Sequence, residues 1–294
     1  MTRPSLALRG IRVLTLALNL PGPAAVMRLR AMGARCTKLE PLAADGGSAD
    51  PMSHYRPAAY QTMHQGVRVV GADLKQPAGQ KKLHALLAQT DVLITSFRPS
   101  ALKKLGIAPQ ALKQAYPALI QVSIVGAPGP KAEHPGHDLT YMAECGLVPD
   151  LALPASLFAD MGGSLLVTEA VLKALLQRKQ RSGRGAHVEV ALNEAAAYLG
   201  LPHTWGLTTP EGAVGGAHAG YRVYACQGGR VAVAALEPHF ARALCEVAGL
   251  PARGDLPHMM SSAIHRGLQR WFATQTPAQL RRLAKRHDLP LHPL

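Results

Sequence analysis

The chain has 294 residues, of which 48% are apolar and 4% aromatic, so it is long enough for a large aliphatic core and for more than one domain. Its formal net charge of +14 indicates an anionic partner, either a phosphorylated small molecule or a nucleic acid. The sequence contains neither zinc-finger spacing nor an aromatic RNA-binding motif, so nucleic acid is the weaker of these two hypotheses.

The cysteines and the N-terminus exclude further classes of protein. Cys36, Cys145, Cys226 and Cys245 lie far apart without a C-x-x-C pair, so we predict neither a disulfide framework nor a metal site. The apolar run at residues 13–20 is short and leads into a helical pattern without a signal-cleavage site. No apolar run reaches the roughly 18 residues that a membrane span needs. We therefore predict a cytoplasmic protein without a membrane partner.

The first half of the chain alternates short β-branched runs with helical patterns. The predicted strands cover residues 11–18, 36–41, 67–74, 91–97 and 118–126, and the predicted helices cover residues 22–33, 77–89 and 99–106. Strands that alternate with helices of this length predict parallel βαβ units with right-handed crossovers. Ligands of such sheets bind at the carboxyl ends of the strands, so we expect a functional site in the loops that follow them.

The second half begins with an amphipathic helix at residues 162–177 and a strand that leads into a helix at residues 186–201. The pattern then changes to a hairpin that turns at residues 227–229, followed by short helices. We therefore divide the chain into a large α/β domain at residues 1–200 and a small α+β domain at residues 201–294.

Three polar side chains at predicted helix starts are candidates for chemistry. His137 and Asp138 follow a glycine at the start of an apolar segment, and Asp160 precedes a second helix. Histidine titrates near neutral pH and a neighbouring carboxylate tunes it, so this pair is a candidate for acid–base chemistry. Asp138 and Asp160 would equally serve as N-caps of the helices that follow them. The residues alone leave both interpretations open.

Seven segments of the chain, taken together and in order, resemble a known family. They are LRGIRVLTLALNLPGPAAVMRLRAMGARCTKLEP, ADLKQPAGQKKLHALLAQTDVLITSFRPSALKKLG, PALIQVSIVGAPGP, PGHDLTYMAECGL, ADMGGS, RSGRGAHVEVAL and GGRVAVAALEPHF. This set resembles the family III CoA-transferases of the CaiB/BaiF type and is closest in motif to the 2-methylacyl-CoA racemases. The resemblance implies a large lobe with a Rossmann-like parallel sheet, a smaller α+β lobe, and an interlocked homodimer with active sites between the lobes of two subunits.

The resemblance also implies catalytic residues. In the racemases, a histidine at the position of His137 and an aspartate at that of Asp160 face each other across the α-carbon of the substrate, and Glu237 accompanies the histidine. In the transferases, an aspartate at the position of Asp138 attacks the thioester as a nucleophile and forms an aspartyl-CoA intermediate. The glycine pair at 162–163 is expected to leave backbone open to the thioester carbonyl at a helix start.

Coenzyme A, by the same resemblance, enters as part of the substrate, and neither a further cofactor nor a metal is implied. Its phosphates suit the basic side chains of the chain. The implied CoA-binding residues are Asn19, Leu20, Leu74, Lys75, Ser96, Phe97, Arg98, Ala101 and Lys104.

The chain also departs from the family pattern. Met63, His64 and Gln65 stand where an Asn-Arg pair is expected, and Glu40 stands close to where racemases carry an arginine. The stretch between residues 147 and 160 is short, and a C-terminal segment that would return to the large lobe is missing. We therefore interpret the chain as a truncated or divergent member of the family.

Three hypotheses about function follow. The first is an acyl-CoA racemase or epimerase that moves a proton at the α-carbon of a 2-methylacyl-CoA. The second is a CoA-transferase that moves CoA between carboxylic acids. The third is a catalytically weakened CoA-binding or nucleic-acid-binding protein, and its affinity for nucleic acid would fall steeply with salt because bound phosphates release counterions.

Overall fold

The structure is a computed structural model that describes residues 6–43, 47–180 and 182–294. The chain forms two compact units, residues 1–200 and residues 201–294. None of the helices in the described ranges has the length and hydropathy that crossing a bilayer requires.

A six-stranded sheet is the centre of the first unit. Its strands are β1 (Arg12–Thr15), β2 (Arg35–Glu40), β3 (Arg68–Gly71), β4 (Val92–Thr95), β5 (Ile120–Val125) and β6 (His187–Ala191). Every strand runs parallel to its neighbours, in the order β3-β2-β1-β4-β5-β6. The order therefore reverses between β1 and β4. This sheet confirms the parallel α/β fold predicted from the sequence.

Helices cover both faces of this sheet. They are α1 (Pro21–Ala31), α2 (Pro51–Tyr55), α3 (Pro57–His64), α4 (Pro77–Leu87), α5 (Pro99–Lys104), α6 (Pro109–Ala115), α7 (Asp138–Glu144), α8 (Phe158–Gln180) and α9 (Leu192–Leu199). Several begin at a proline, whose restricted φ suits the first turn and whose missing N–H is not needed there. Short loops at the carboxyl ends of the strands lead into α1, α5 and, through a longer connection, α7.

Two apolar clusters hold these layers together, one on each face of the sheet. Side chains alternate along a strand, so neighbouring residues of β1 enter different clusters. Val13 packs in one cluster with Leu29 of α1 and Val171 of α8, whereas Leu14 packs in the other with Leu83 of α4. The loops that emerge between the two clusters at the ends of the strands are therefore anchored from both sides.

Helix α8 begins four residues before its predicted start, and it continues through the glycine pair at 162–163. A Cβ atom at Gly163 would lie only 2.3 Å from Cδ2 of Leu192, so this glycine permits the close approach of α9. The expectation that the pair opens the backbone to a thioester is wrong, because both residues lie inside the helix. Their role is helix packing.

The second unit combines an antiparallel sheet with helices. Its strands are β7 (Tyr221–Cys226), β8 (Gly229–Ala234) and β9 (Leu291–Pro293), and its helices are α10 (Leu201–Thr204), α11 (Pro238–Val247), α12 (Leu256–Met259), α13 (Ser262–Ala273) and α14 (Pro277–His287). The predicted hairpin joins β7 to β8, with Gly228 in the turn at a φ of 76°. Tyr224 stacks on Phe272 in the core of this unit, with ring centroids 4.7 Å apart.

Candidate active site

A cavity of about 680 Å³ opens at the carboxyl ends of β1, β4 and β5 in the first unit. Strands β1 and β4 are neighbours, and the strand order reverses between them. Because the loops after these two strands leave the sheet in different directions, they create a crevice where open parallel sheets bind their ligands. The cavity therefore lies where the sequence pattern predicted a site.

The loop after β1 forms one wall of this cavity in a restrained conformation. Asn19 has a φ of 63°, a left-handed geometry that asparagine adopts more readily than most residues. Its backbone N–H donates to Oδ1 of Asp50 at 3.1 Å, and its side-chain oxygen accepts a hydrogen bond from the Tyr55 hydroxyl at 3.1 Å. These two contacts hold the loop against the segment that follows β2.

Behind that loop lies a buried group of charges centred on Lys38. Its ammonium lies 2.5 Å from Oδ2 of Asp50 and 3.0 Å from Oε2 of Glu40. Lys38 and Asp50 are 0% exposed and Glu40 is 5% exposed, so each charge depends on its partners for compensation. Asp50 also accepts the N–H of Met52 at 2.9 Å, and it thereby joins β2, α2 and the Asn19 loop.

The two unusual segments found in the sequence meet beside this group. The Tyr60 hydroxyl donates to the Glu40 carboxylate at 3.2 Å. His64 is buried at the end of α3, with Nδ1 2.7 Å from the carbonyl oxygen of Tyr60, and burial lowers its pKa. The side chains of Glu40 and His64 therefore make their contacts in the interior of the unit and are not exposed to a phosphate.

His137 and Asp138 lie at the start of α7, on the edge of the cavity. His137 occupies the N-cap position and is exposed, and its N–H donates to Oγ1 of Thr140 at 3.1 Å. Asp138 is the first helical residue, so the alternative of Asp138 as the N-cap is wrong.

A hydrogen bond between Asp138 and Asp160 connects α7 to α8. Oδ1 of Asp138 accepts the backbone N–H of Asp160 at 2.9 Å. Asp160 lies within the first turn of α8 rather than at its N-cap, which corrects the second capping alternative. Burial, and then the negative charge of Asp138, raise the pKa of Asp160 from its ordinary 3.8 to about 6. Asp160 therefore holds a proton more readily than an ordinary aspartate.

Tyr141 also faces this cavity, although the sequence pattern did not single it out. Only 6% of the residue is exposed. Burial raises the pKa of its phenol, the negative charges of Asp160 and Glu144 raise it further, and Arg98 lowers it. Its spacing from His137, four residues within a helical segment, is the signal that could have identified it.

The predicted CoA-binding residues fall into two groups. Five of them line the cavity: Asn19, Leu20, Ser96, Phe97 and Arg98. The other four lie on the loop after β3 and on α5: Leu74, Lys75, Ala101 and Lys104. Nε2 of Gln80 connects the two segments of this second group, because it donates to the carbonyl oxygens of Leu74 at 2.6 Å and of Leu105 at 3.2 Å.

Glu237 belongs to the second unit, where it precedes α11 and is exposed. Its backbone occupies the N-cap position of that helix. The role that the resemblance implies for Glu237 beside a histidine stays a prediction.

The fold and the cavity define a Rossmann-type α/β protein with titratable side chains in a cavity at its strand-order reversal. The chain matches the family model described as CoA-transferase family III over residues 8–294, and it belongs to that family. It is 31% identical to the alpha-methylacyl-CoA racemase of Mus musculus, over 91% of this chain and 71% of the relative.

Other relatives carry transferase names. The (R)-2-hydroxy-4-methylpentanoate CoA-transferase of Clostridioides difficile is 31% identical over 65% of this chain and 52% of its own length. The crystal structure of a hypothetical protein from Mycobacterium tuberculosis matches with a TM-score of 0.82 at 24% identity, over 98% of this chain and 84% of that one. That structural match supports the fold, and the sequence matches place racemases and CoA-transferases in one family with this chain.

Proposed function

We propose that this protein is an acyl-CoA racemase or epimerase that moves a proton at the α-carbon of a 2-methylacyl-CoA thioester. The observation that carries the proposal is the presence in one cavity of an exposed histidine, His137, and a carboxyl group with a raised pKa, Asp160. The racemase relatives, at 31% identity, supply the reaction class.

Inversion at the α-carbon needs a base on one face and an acid on the other. In the proposed reaction, neutral His137 removes the α-proton and its electron pair delocalises onto the thioester oxygen as an enolate. Protonated Asp160 then returns a proton to the opposite face of the α-carbon. The product has the inverted configuration, His137 is left protonated and Asp160 ionised. His137 then releases its proton to solvent water and Asp160 takes one up, which restores the starting protonation states and brings solvent hydrogen onto Asp160.

The basic side chains support a CoA thioester as substrate. Arg98 lines the cavity, and Lys75 and Lys104 lie on the two segments that Gln80 connects. Guanidinium and ammonium groups suit the phosphates of CoA, which enters as part of the substrate, so we propose no other cofactor.

We further propose an interlocked homodimer, in which Glu237 of one subunit accompanies His137 of the other. A cytoplasmic location is part of the same proposal. The four cysteines are all free, as is usual for proteins of a reducing compartment.

The test is mass spectrometry of a 2-methylacyl-CoA after incubation with the protein in heavy water, without an acceptor acid. Incorporation of deuterium at the α-carbon is the expected result, and His137→Ala should abolish it. His84→Ala is the matched control, because His84 lies on α4 outside the cavity and bonds the Tyr116 hydroxyl. Equal incorporation by the His137 variant and the wild type would contradict the proposal.

A CoA-transferase is the second candidate, since relatives with that name align over much of the chain. It would use a carboxylate of the same cavity as nucleophile, and the resemblance named Asp138. Asp138 lines the cavity beside Asp160 and its Oδ1 accepts the Asp160 N–H at 2.9 Å, and Asp138 is the nucleophile of this alternative. Hydroxylamine trapping with an acceptor acid present would test this alternative, because the trapped product forms only on the carboxylate that acts as the nucleophile.

A weakened binder is the remaining alternative. Measurable CoA affinity without exchange or transfer would support it. If the ligand were a nucleic acid, affinity would fall steeply between low and moderate salt.

A further inference from the structure

Tyr141 lines the same cavity as His137 and Asp160, and its hydroxyl lies beside Gly126 and Gly136, which line that cavity too. Tyr141 follows His137 by four residues, and its backbone N–H donates to the carbonyl oxygen of His137 at 3.3 Å, so the first turn of α7 connects the two residues. Within the described ranges, neither a backbone group nor a side chain hydrogen-bonds to this hydroxyl. A phenol with a buried ring and an unpaired hydroxyl in a cavity is a donor available to a ligand.

Two glycines hold the hydroxyl in place. A Cβ atom at Gly126 would lie 2.3 Å from the Tyr141 oxygen, and one at Gly136 would lie 2.5 Å from it. Neither glycine has a positive φ, so their backbone conformation alone does not demand glycine. Both positions therefore supply the space in which the hydroxyl sits, one at the end of β5 and the other just before His137.

The charges around the phenol favour its neutral, proton-donating form. Burial and the carboxylates of Asp160 and Glu144 all raise the pKa of Tyr141, and Arg98 only partly opposes them. A neutral donor held without a protein partner is the arrangement that stabilises oxygen as negative charge develops on it.

We propose that the Tyr141 hydroxyl donates a hydrogen bond to the thioester oxygen of the acyl-CoA, where negative charge grows as His137 removes the α-proton. This inference rests on the proposed function and adds a catalytic residue to it. No covalent bond to Tyr141 forms or breaks, and the phenol keeps its proton throughout the reaction.

The first experiment compares Tyr141→Phe, Gly126→Ala and the double variant with the wild type in the heavy-water assay at saturating substrate. Loss of one preorganised donor should lower kcat roughly 100-fold with little change in KM. Gly126→Ala keeps the hydroxyl but displaces it, so it should lower kcat in the same direction. With phenylalanine at 141, the clash with the hydroxyl disappears, and the double variant should be no slower than Tyr141→Phe alone.

Tyr116→Phe is the matched control, because Tyr116 bonds His84 outside the cavity, and its kcat should equal that of the wild type. The pH profile separates the proposal from an indirect effect through Asp160. A donor to the substrate lowers kcat without moving the alkaline limb of the profile, where Asp160 loses the proton that it must supply. A shifted limb, a Tyr141→Phe rate equal to the wild type, or independent additive effects of the two changes would overturn the proposal.

A binding measurement keeps this inference separable from the proposed function. The ratio of the affinities for an acyl-CoA thioester and for its thioether analogue, which lacks the carbonyl oxygen, reports the contact without turnover. Tyr141→Phe should lower this ratio roughly two- to tenfold, the worth of one neutral hydrogen bond. If the wild type binds but exchanges no proton, the proposed function fails, and the ratio alone then decides the role of Tyr141: an unchanged ratio refutes it.

Discussion

Replacing Asp160 with asparagine should make the folded protein more stable while removing its proposed chemistry. The pKa of Asp160 is raised from 3.8 to about 6, because burial and the charge of Asp138 both disfavour its ionised form. The folded chain therefore binds this proton more tightly than the unfolded chain does. Burial of Asp160 does not destabilise the native state below the pKa of the unfolded state, because the carboxyl is then protonated in both states. The full loss of stability is reached once the pH has risen through the pKa of the folded state.

The pKa difference sets the size of the effect. Each pKa unit corresponds to about 1.4 kcal/mol, so a shift of about two units gives an upper value of about 3 kcal/mol at neutral pH. Asp160 is partly open to the cavity, and solvent reduces that value. We expect Asp160→Asn to be about 1–3 kcal/mol more stable than the wild type near pH 7.5 and nearly equal to it near pH 4.

The assay must follow the first unit, which contains Asp160. Trp205 and Trp271, the two tryptophans of the chain, both lie in the second unit, so intrinsic fluorescence would report the wrong region. Urea unfolding at both pH values, monitored by hydrogen exchange of the α8 amides, measures the free energy of unfolding of the first unit. A variant that is no more stable than the wild type near pH 7.5 would refute the reasoning.

Asp138→Asn tests independently whether the charge of Asp138 contributes to the raised pKa of Asp160. It removes the neighbouring charge, and its side-chain oxygen can still accept the Asp160 N–H. The pKa of Asp160 should fall in this variant, so the variant should lose stability at a lower pH than the wild type does. An unchanged midpoint would show that Asp138 does not contribute to the raised pKa.

Two further predictions concern buried groups. Lys38→Met should lower the free energy of unfolding by about 3–5 kcal/mol, because it leaves two buried carboxylates without their counter-charge. Lys173→Met, in an exposed ion pair, is the matched control in the same urea titration and should change it by less than about 1 kcal/mol. Burial raises the pKa of Cys36 to about 12, so its thiol should resist iodoacetamide at pH 8. Peptide mass spectrometry that finds native Cys36 modified as fast as partly exposed Cys226 would contradict this.

Much of the first unit follows from local sequence patterns. Buried β-branched runs such as residues 92–95 and 120–125 identify strands, and the amphipathic stretch at residues 77–87 identifies a helix. The start of α8 was misplaced because glycine is a poor helix former, whereas the packing of Gly163 on Leu192 outweighs that preference. The three-residue strand β9 has no recognisable periodicity, since only its pairing with β8 defines it.

The sequence located the site in two ways. Loops at the ends of neighbouring parallel strands must converge, which predicted a site at one edge of the sheet, whereas the assignment of Asn19 and Arg98 to it came from the family resemblance. Lys38 gave no comparable signal, because its position in a strand pattern does not reveal that it is buried against Asp50. The sequence pattern around Tyr141 predicts only an apolar helix, whereas the space that Gly126 leaves beside its hydroxyl is a property of the folded chain.

The buried charges around Lys38 also restrict how this sequence can diverge. A change at Lys38 alone leaves two carboxylates in the interior without their counter-charge, whereas a change at Glu40 or Asp50 alone leaves Lys38 one carboxylate partner. A lineage can therefore lose either carboxylate singly, but it can lose the lysine only together with the carboxylates or after them. We expect Lys38 to be the last of the three positions to change among descendants of this chain.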